Sequence, residues 1–406
     1  MSSTLDPLDI PDLLANLVER SLVAFDERSG RYRLSETLRA FATEQLGEDM
    51  DSLRQKHFSY FLARSDQIGE LIKDWDDKAL SMCFSDADNF RTAMQWGFGR
   101  PQQSSEVLVL VSNLGGAWGS FNHWEAREFL EMSLQLPTTD MPECRAWIHL
   151  MMVSDTVGHG AFEEAEKFLA LAKGYFSRNG GDPRGMLHVL LRETMMLDYQ
   201  DRTEEAYAIA ERMLPIVREH RLTSHEAIVL IHTGELCRRL ENLDLADSYY
   251  ERARTLTDND FLLSTVHFNL GSTALLREQW QRAVLQLKEV IRISLKFDEA
   301  VTIVKINLFL AAGFVAIILR DYGSGLSLIR HGQEVGKRRG TGPDPSDVVV
   351  TEMMIGKVRE NWAEYESAMR ESIEFSLAQA TDLSNQILQS LSTDVLNVLG
   401  EQGRGE

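Results

Sequence analysis

A small residue returns every forty or so positions along most of this chain, followed each time by apolar residues on one helical face. Ala126, Ala165, Ala206, Ala246, Ala283, Gly325 and Ala368 stand 39, 41, 40, 37, 42 and 43 residues apart. Two antiparallel helices can approach closely only where one of them presents a small side chain. Bulkier apolar groups four and seven positions later then fill the same face. The pattern is clearest where Gly234 precedes Ala246, Tyr250 and Ala253, and where Gly271 precedes Ala283, Leu287 and Val290. Looser copies have Gly313 ahead of Gly325 and Ile329, and Gly356 ahead of Ala368 and Phe375. The period is longer than the ~34 residues of a tetratricopeptide, so tetratricopeptide-like hairpins with longer helices or loops are expected. Polar breaks at 179–183, 257–260 and 340–345 fall where that period needs them.

Composition agrees with a helical stack. Only 9 of 406 residues are proline and 44% are hydrophobic, which excludes a disordered, collagen-like or disulfide-stapled chain. With 42 Lys+Arg against 62 Asp+Glu the net charge is −20, a poor match to nucleic acid, whose binding needs a basic face. Cys83, Cys144 and Cys237 are widely spaced, so neither zinc nor a disulfide frame is expected. The N-terminus lacks the charge and apolar run of a signal peptide. The apolar stretch Ile303–Leu319 is interrupted by Lys305 and Asn307, which fits a buried helix better than a membrane span. A cytoplasmic location, no membrane partner and no cofactor are the expectations.

Residues 1–50 break the pattern. Leu13, Leu14, Leu17 and Val18 share a helical face, and two β-prone runs, 21–25 and 31–34, flank the turn-forming 26–30. Ser35 can cap a following helix striped by Leu38, Phe41, Ala42 and Leu46. Helix, hairpin and helix read as the last part of a winged-helix unit. The expected organisation is a partial winged-helix module over 1–50 and a helical connector over 51–104. About seven tetratricopeptide-like repeats over 105–375 then build a right-handed, all-α superhelix. A capping helix and tail follow over 376–406.

The stretch LVERSLVAFDERSGRYRLSETLRAFATEQL (17–46) resembles the end of the winged-helix module of STAND signal-transduction ATPases, nearest the LuxR-type and maltose-regulator-like activators. DNFRTAMQWGF (88–98), HWEAREFLEMSL (123–134) and GDPRG (181–185) are similar to phrases of their helical sensor region. The resemblance implies a sensor and docking arm. It does not extend to ATP hydrolysis, because nothing matches GxxxxGK[ST]; the nearest run, 332–338, has the wrong spacing and no hydroxyl residue. No DNA-reading helix-turn-helix follows the repeats, and residues 1–46 carry five Arg against eight acids, so direct DNA binding is not expected.

The first helices of the hairpins should line a concave groove. Aligning on Gly234 and Gly271 points His188, Asp198, Glu235, Arg238, Arg239, Ser272, Asn307 and Lys357 inward. Trp118, Trp147 and Phe268 share that register, either as packing between repeats or as flanks of the groove. Adjacent Arg238 and Arg239 favour a carboxylate or phosphate partner. No catalytic set emerges: His57, His123, His149 and His159 lack metal-ligand spacing, and Glu163-Glu164 and Glu204-Glu205 suit helix N-termini. Lys337-Arg338-Arg339 suits a helix C-terminus. The expectation is a non-enzymatic scaffold or sensor that binds a peptide, a protein or a small anionic ligand. The alternative is a transcriptional regulator, part of a longer ATPase activator, acting with a separate DNA- or nucleotide-binding partner.

Overall fold

The computed structural model describes residues 6–26, 30–47, 49–76, 78–119, 123–137, 141–178, 182–296, 302–318, 322–338 and 350–351. The chain divides into two compact units, Met1–Tyr60 and Phe61–Glu406, a boundary ten residues beyond the expected one at 50. Among the described residues no helix is long and apolar enough to cross a membrane.

The first unit is the expected helix, hairpin and helix. Helix α1 (Ile10–Glu19) leads to strands β1 (Val23–Asp26) and β2 (Arg31–Leu34), then α2 (Glu36–Leu46). The strands pair antiparallel, Val23 opposite Leu34 and Phe25 opposite Tyr32, and the Phe25 and Tyr32 rings lie 4.9 Å apart. The Ser35 hydroxyl accepts the Leu38 N–H at 3.3 Å and caps α2. The apolar stripe of α1 is not buried: Leu13 and Leu17 remain exposed. The division between the units falls within α3 (Asp49–Lys73).

Among the described residues the second unit has helices and no strand. Two short helices, α4 (Lys78–Ser85) and α5 (Ala87–Phe98), precede six hairpins. These are α6 (Ser104–Gly119) with α7 (His123–Leu134), α8 (Pro142–Gly158) with α9 (Phe162–Arg178), and α10 (Pro183–Tyr199) with α11 (Thr203–Glu219). Then come α12 (Thr223–Arg239) with α13 (Leu243–Leu256), α14 (Asp260–Leu276) with α15 (Trp280–Ser294), and α16 (Thr302–Ile318) with α17 (Tyr322–Arg338). The seventh expected copy and the capping helix lie outside the described residues. Consecutive first helices touch one another, α6 to α8, α8 to α10 and so on to α16, so they form one continuous layer, as stacked repeats require.

The four hairpins whose turns are described, from α8–α9 to α14–α15, are closed by the same device. Gly160, Asp201, Glu241 and Glu278 adopt φ of 73°, 58°, 59° and 59°, and each stands five residues ahead of a small anchor, Ala165, Ala206, Ala246 or Ala283. The next residue's N–H reaches back to the carbonyl five positions earlier: Ala161 to Thr156, Arg202 to Leu197, Asn242 to Cys237 and Gln279 to Ala274, all at 2.9 Å. This left-handed cap satisfies carbonyls that a helix end leaves open. It also sets the return angle that brings the anchor against the first helix. The anchors Ala165, Ala206, Ala246 and Ala283 are fully buried and Ala126 nearly so.

The fit is close enough to demand glycine on the opposite helix. A Cβ placed on Gly271 would stand 2.9 Å from Leu287, and one on Gly313 would stand 2.6 Å from Ile329. The repeat spacing read from sequence therefore corresponds to helix-to-helix contacts. Apolar clusters pass from hairpin to hairpin, the first over α8–α10, the next over α10–α14 and the last over α14–α17. Loops carry their own caps: Asp182 accepts the Arg184 N–H with Pro183 at the first helical position, and Asn259 accepts the Leu262 N–H at 3.0 Å.

Candidate functional site

Part of the layer of first helices, from α6 to the start of α14, is covered by the chain itself. Within the second unit the end of α3 lies across α6. There the Asn113 amide donates to Ser65 at 3.2 Å and to Asp66 at 2.9 Å, and Gly69 leaves room for the Asn113 side chain. After Lys73 the helix ends in a left-handed cap of the kind that closes the hairpins. The Asp76 N–H reaches the Leu71 carbonyl at 2.8 Å, and the residue with positive φ, 57°, is Trp75. A bulky side chain in that region is an outlier that the surroundings must hold in place.

The surroundings are α8, α10, α12 and the start of α14. The Trp75 indole N–H donates to His188 Nε2 at 3.0 Å, and the two rings stack with centroids 5.1 Å apart and planes within 10°. An indole N–H can only donate, so Nε2 of His188 carries no proton. The same nitrogen also lies 3.2 Å from the Lys73 carbonyl, to which the other tautomer would donate instead. Trp147 meets His188 edge-on at 5.0 Å and His225 meets it at 5.9 Å. Burial, and then the Arg192 charge, push the His188 imidazole well below its ordinary pKa. One turn along α10 the Arg192 guanidinium lies 5.8 Å from the centroid of the Trp75 ring.

Charges complete the contact on either side. Arg184 reaches Asp74 at 3.1 Å and Glu70 at 3.3 Å. Lys73 pairs with Glu70 at 2.9 Å, approaches Glu143 at 3.7 Å and sits 5.6 Å over the Trp147 ring. The Asn259 amide donates to the Trp75 carbonyl at 3.3 Å. A short stretch, Glu70–Trp75, is thus read through its aromatic ring, its acids and its backbone by side chains of successive repeats.

A second polar cluster lies deeper between α10, α12 and α14. Thr194 Oγ1 and His232 Nε2 are 2.6 Å apart, and His232 Nδ1 stands 3.6 Å from Glu235. Asn269 donates to Glu235 at 2.8 Å and accepts from Arg238 at 3.5 Å. Burial raises the Glu235 carboxyl pKa, but His232, Asn269 and Arg238 together outweigh it and hold the group below its ordinary value. Beside it, Arg239 pairs with Asp198 at 3.2 Å and with Asp201 at 3.1 Å, and Asp198 also accepts the Thr203 hydroxyl at 2.9 Å.

No family model matches the chain. A stretch of 119 residues is 32% identical to HTH-type transcriptional regulators of Mycobacterium bovis and Mycobacterium tuberculosis, covering 29% of this chain and 13% of theirs. The chain thus matches only about an eighth of the length of those relatives. Solved structures similar to it include a STAND protein with a tetratricopeptide repeat sensor from Pyrococcus horikoshii, at 16% identity and TM-score 0.42, over 88% of this chain and 59% of that one. The apo form of RapI follows at 12% identity and TM-score 0.37, over 87% of this chain and 99% of that one. BtubC from P. vanneervenii follows at 16% identity and TM-score 0.38, over 62% and 95%.

The residues expected to line the groove separate into three groups. His188 lies under the Trp75 segment. Asp198, Glu235, Arg238 and Arg239 hold repeats together, with Asn269, which was not among the expected residues, bridging Glu235 and Arg238; Arg238 is only 4% exposed. The adjacent arginines, expected to receive a carboxylate or phosphate, are instead bound to Asn269, Asp198 and Asp201. Ser272 is fully buried within α14 and Asn307 is buried in α16; Lys357 lies outside the described residues. Trp118 and Trp147 pack in the core, at 1% and 5% exposure. Sequence reasoning missed Trp75, Arg184 and Arg192. The signal for Trp75 was a tryptophan between two aspartates just past a helix end, outside any repeat.

Two other features carry no ligand chemistry. The void beneath Met94, Trp118 and Phe129 is apolar and measures about 10 Å³, no more than one water's room. The three cysteines are free thiols, and burial pushes the Cys237 thiol up to about 11, away from reactivity.

Proposed function

We propose that this chain is a non-enzymatic binding scaffold or sensor whose layer of first helices receives a peptide or a segment of a protein. The observation that carries the reading is the docking of Glu70–Trp75. Side chains of α8, α10 and α12 hold a short stretch of polypeptide by ring stacking, an indole hydrogen bond and an arginine clamp. A surface that recognises one such stretch has the chemistry for another, with aromatic anchors supplying buried area and charged groups fixing register. A small anionic ligand is the other class such a basic and aromatic patch suits.

In this reading the chain is the sensor arm of a bacterial STAND-type signalling or transcription-regulatory system, working in the cytoplasm. The first unit, with its helix, hairpin and helix, acts as a remnant of the winged-helix module. The identity with HTH-type regulators over 119 residues favours a second reading, in which the chain belongs to a transcriptional regulator and works with a separate DNA-binding or nucleotide-binding partner. Neither reading assigns DNA contact to these residues.

The test is to purify the tagged full chain from its native host and weigh the intact complex by native mass spectrometry. The scaffold reading expects a co-purifying polypeptide that is lost with Arg184→Glu on the first-helix layer and kept with Leu171→Glu, an exposed position on α9. A bare chain, or a partner indifferent to Arg184→Glu, contradicts it.

A further inference from the structure

We propose that Glu70–Trp75 is a resident stand-in for the ligand. The first-helix layer recognises a peptide carrying an acidic residue directly before a large aromatic one, and takes it up when its own segment leaves. This rests on the peptide-binding reading above and adds the ligand's chemistry and the way binding is gated.

The first support is that the docked turn is not favoured by its own sequence. Trp75 occupies the left-handed cap position where glycine is usual, a conformation that a residue with a Cβ adopts only at a cost. Its neighbours Glu70 and Asp74 are more than half exposed, and ion pairs of that kind contribute little. The dock is therefore held chiefly by the Trp75 ring, and a competitor offering the same ring without the turn starts with an advantage.

The second support is which groups do the reading. Arg184 forks between Asp74 and Glu70, His188 takes the indole N–H on its unprotonated Nε2, and Trp147 braces the imidazole. Each is a repeat side chain facing a side chain of the segment. The acid lies immediately before the aromatic residue, and that order defines the motif.

The third support is what the segment leaves unanswered. Arg192 Nε is buried and has no hydrogen-bond partner among the described residues; what it faces is the Trp75 ring. Burial alone brings this guanidinium down to about 10. The residue as a whole is half-buried, and an enclosed donor left without an acceptor is costly. A ligand whose second carboxylate, from a side chain or the C-terminus, reaches Arg192 supplies an acceptor that the resident segment lacks. The preferred ligand is thus an acidic–aromatic peptide with a further acid beyond the ring.

The probe is a fluorescein-labelled peptide of residues 68–78, IGELIKDWDDK, titrated into the full chain and followed by anisotropy. Trp75→Ala should bind it saturably and at least tenfold more tightly than the wild type. Adding Arg184→Glu to Trp75→Ala should weaken binding at least tenfold, and replacing the peptide's tryptophan with alanine should abolish it. Equal affinity for wild type and Trp75→Ala, or indifference to Arg184→Glu, overturns the proposal. If circular dichroism shows that Trp75→Ala loses helix, Trp75→Gly, which removes the same ring and suits the positive φ, must give the same ordering. A native partner displaced by Arg184→Glu, yet held equally by wild type and Trp75→Ala, leaves the binding face standing and removes self-occupancy.

Discussion

Gly234 on α12 lies directly against the ring of Tyr250 on α13: a Cβ added to the glycine would stand 2.5 Å from Tyr250 Cε1, and that ring is fully buried. Alanine ordinarily favours a helix interior over glycine by about 1 kcal/mol. Here the clash wins, because the ring has no space to retreat and overpacking a filled core costs ~1–3 kcal/mol. Gly234→Ala should lower the urea midpoint. Gly174→Ala, on α9 with nothing within 4 Å of the new carbon, should raise it by the propensity gain. Equal responses from the two glycines would refute the close-approach account of the repeat.

The hairpin caps make the opposite prediction for a non-glycine. Glu241 sits at φ 59° where the equivalent residue of an earlier hairpin is Gly160. Glu241→Gly removes the left-handed strain of a side chain and should stabilise the protein by about 0.5–1 kcal/mol, read as a higher melting temperature. A loss of stability would show that the Glu241 side chain contributes more than its backbone costs.

Asp198 joins two repeats by holding both Arg239 and the Thr203 hydroxyl. Removing it leaves the partly buried Arg239 guanidinium only the exposed Asp201 as partner and takes the acceptor of the buried Thr203 hydroxyl. Asp198→Ala should therefore cost about 3 kcal/mol, more than Arg239→Ala, which leaves Thr203 its acceptor. A double-mutant cycle between 198 and 239 in urea should give a coupling above ~1 kcal/mol. Additive effects would contradict the bridging role.

Acid should weaken the protein before its carboxylates titrate. Burial holds His188 well below its ordinary pKa of 6.5 and lowers His225, and burial followed by the Arg145 charge lowers His149 to about 4. Below 6.5 the unfolded chain binds protons at these positions and the folded chain does not. Stability is therefore fully present above about pH 7 and falls as pH drops toward 4. Protonated His188 would also turn Nε2 from acceptor to donor and lose the Trp75 indole bond. Melting temperatures between pH 7.5 and 4.5 should decline, and His149→Gln should flatten part of the decline; a pH-independent melt would contradict it.

Sequence and structure agree where one physical demand repeats. Ala165, Ala206, Ala246 and Ala283 were readable because every hairpin needs a small residue at its closest approach, and Gly234, Gly271 and Gly313 because the opposite helix needs one too. Ser35 was readable because capping is local. The contact of Trp75 with His188 was not, since it joins residues 113 positions apart and follows no period. Arg238 and Arg239 were misjudged because helical register shows which way a side chain starts, not what it meets. Asn269 and Asp198 lie one repeat away on neighbouring helices. The short α4 also went unseen, its eight residues being too few to show a period.

The central claim is that the first-helix layer of the second unit is the binding face. Hydrogen–deuterium exchange of the full chain, with and without its co-purified partner, tests it most directly. The account predicts partner-dependent protection concentrated in α8, α10, α12 and α14, with α9, α11, α13 and α15 unchanged and Lys73–Asp76 exchanging faster in the complex. Protection confined to the second helices, or a Lys73–Asp76 segment that becomes more protected, would contradict it.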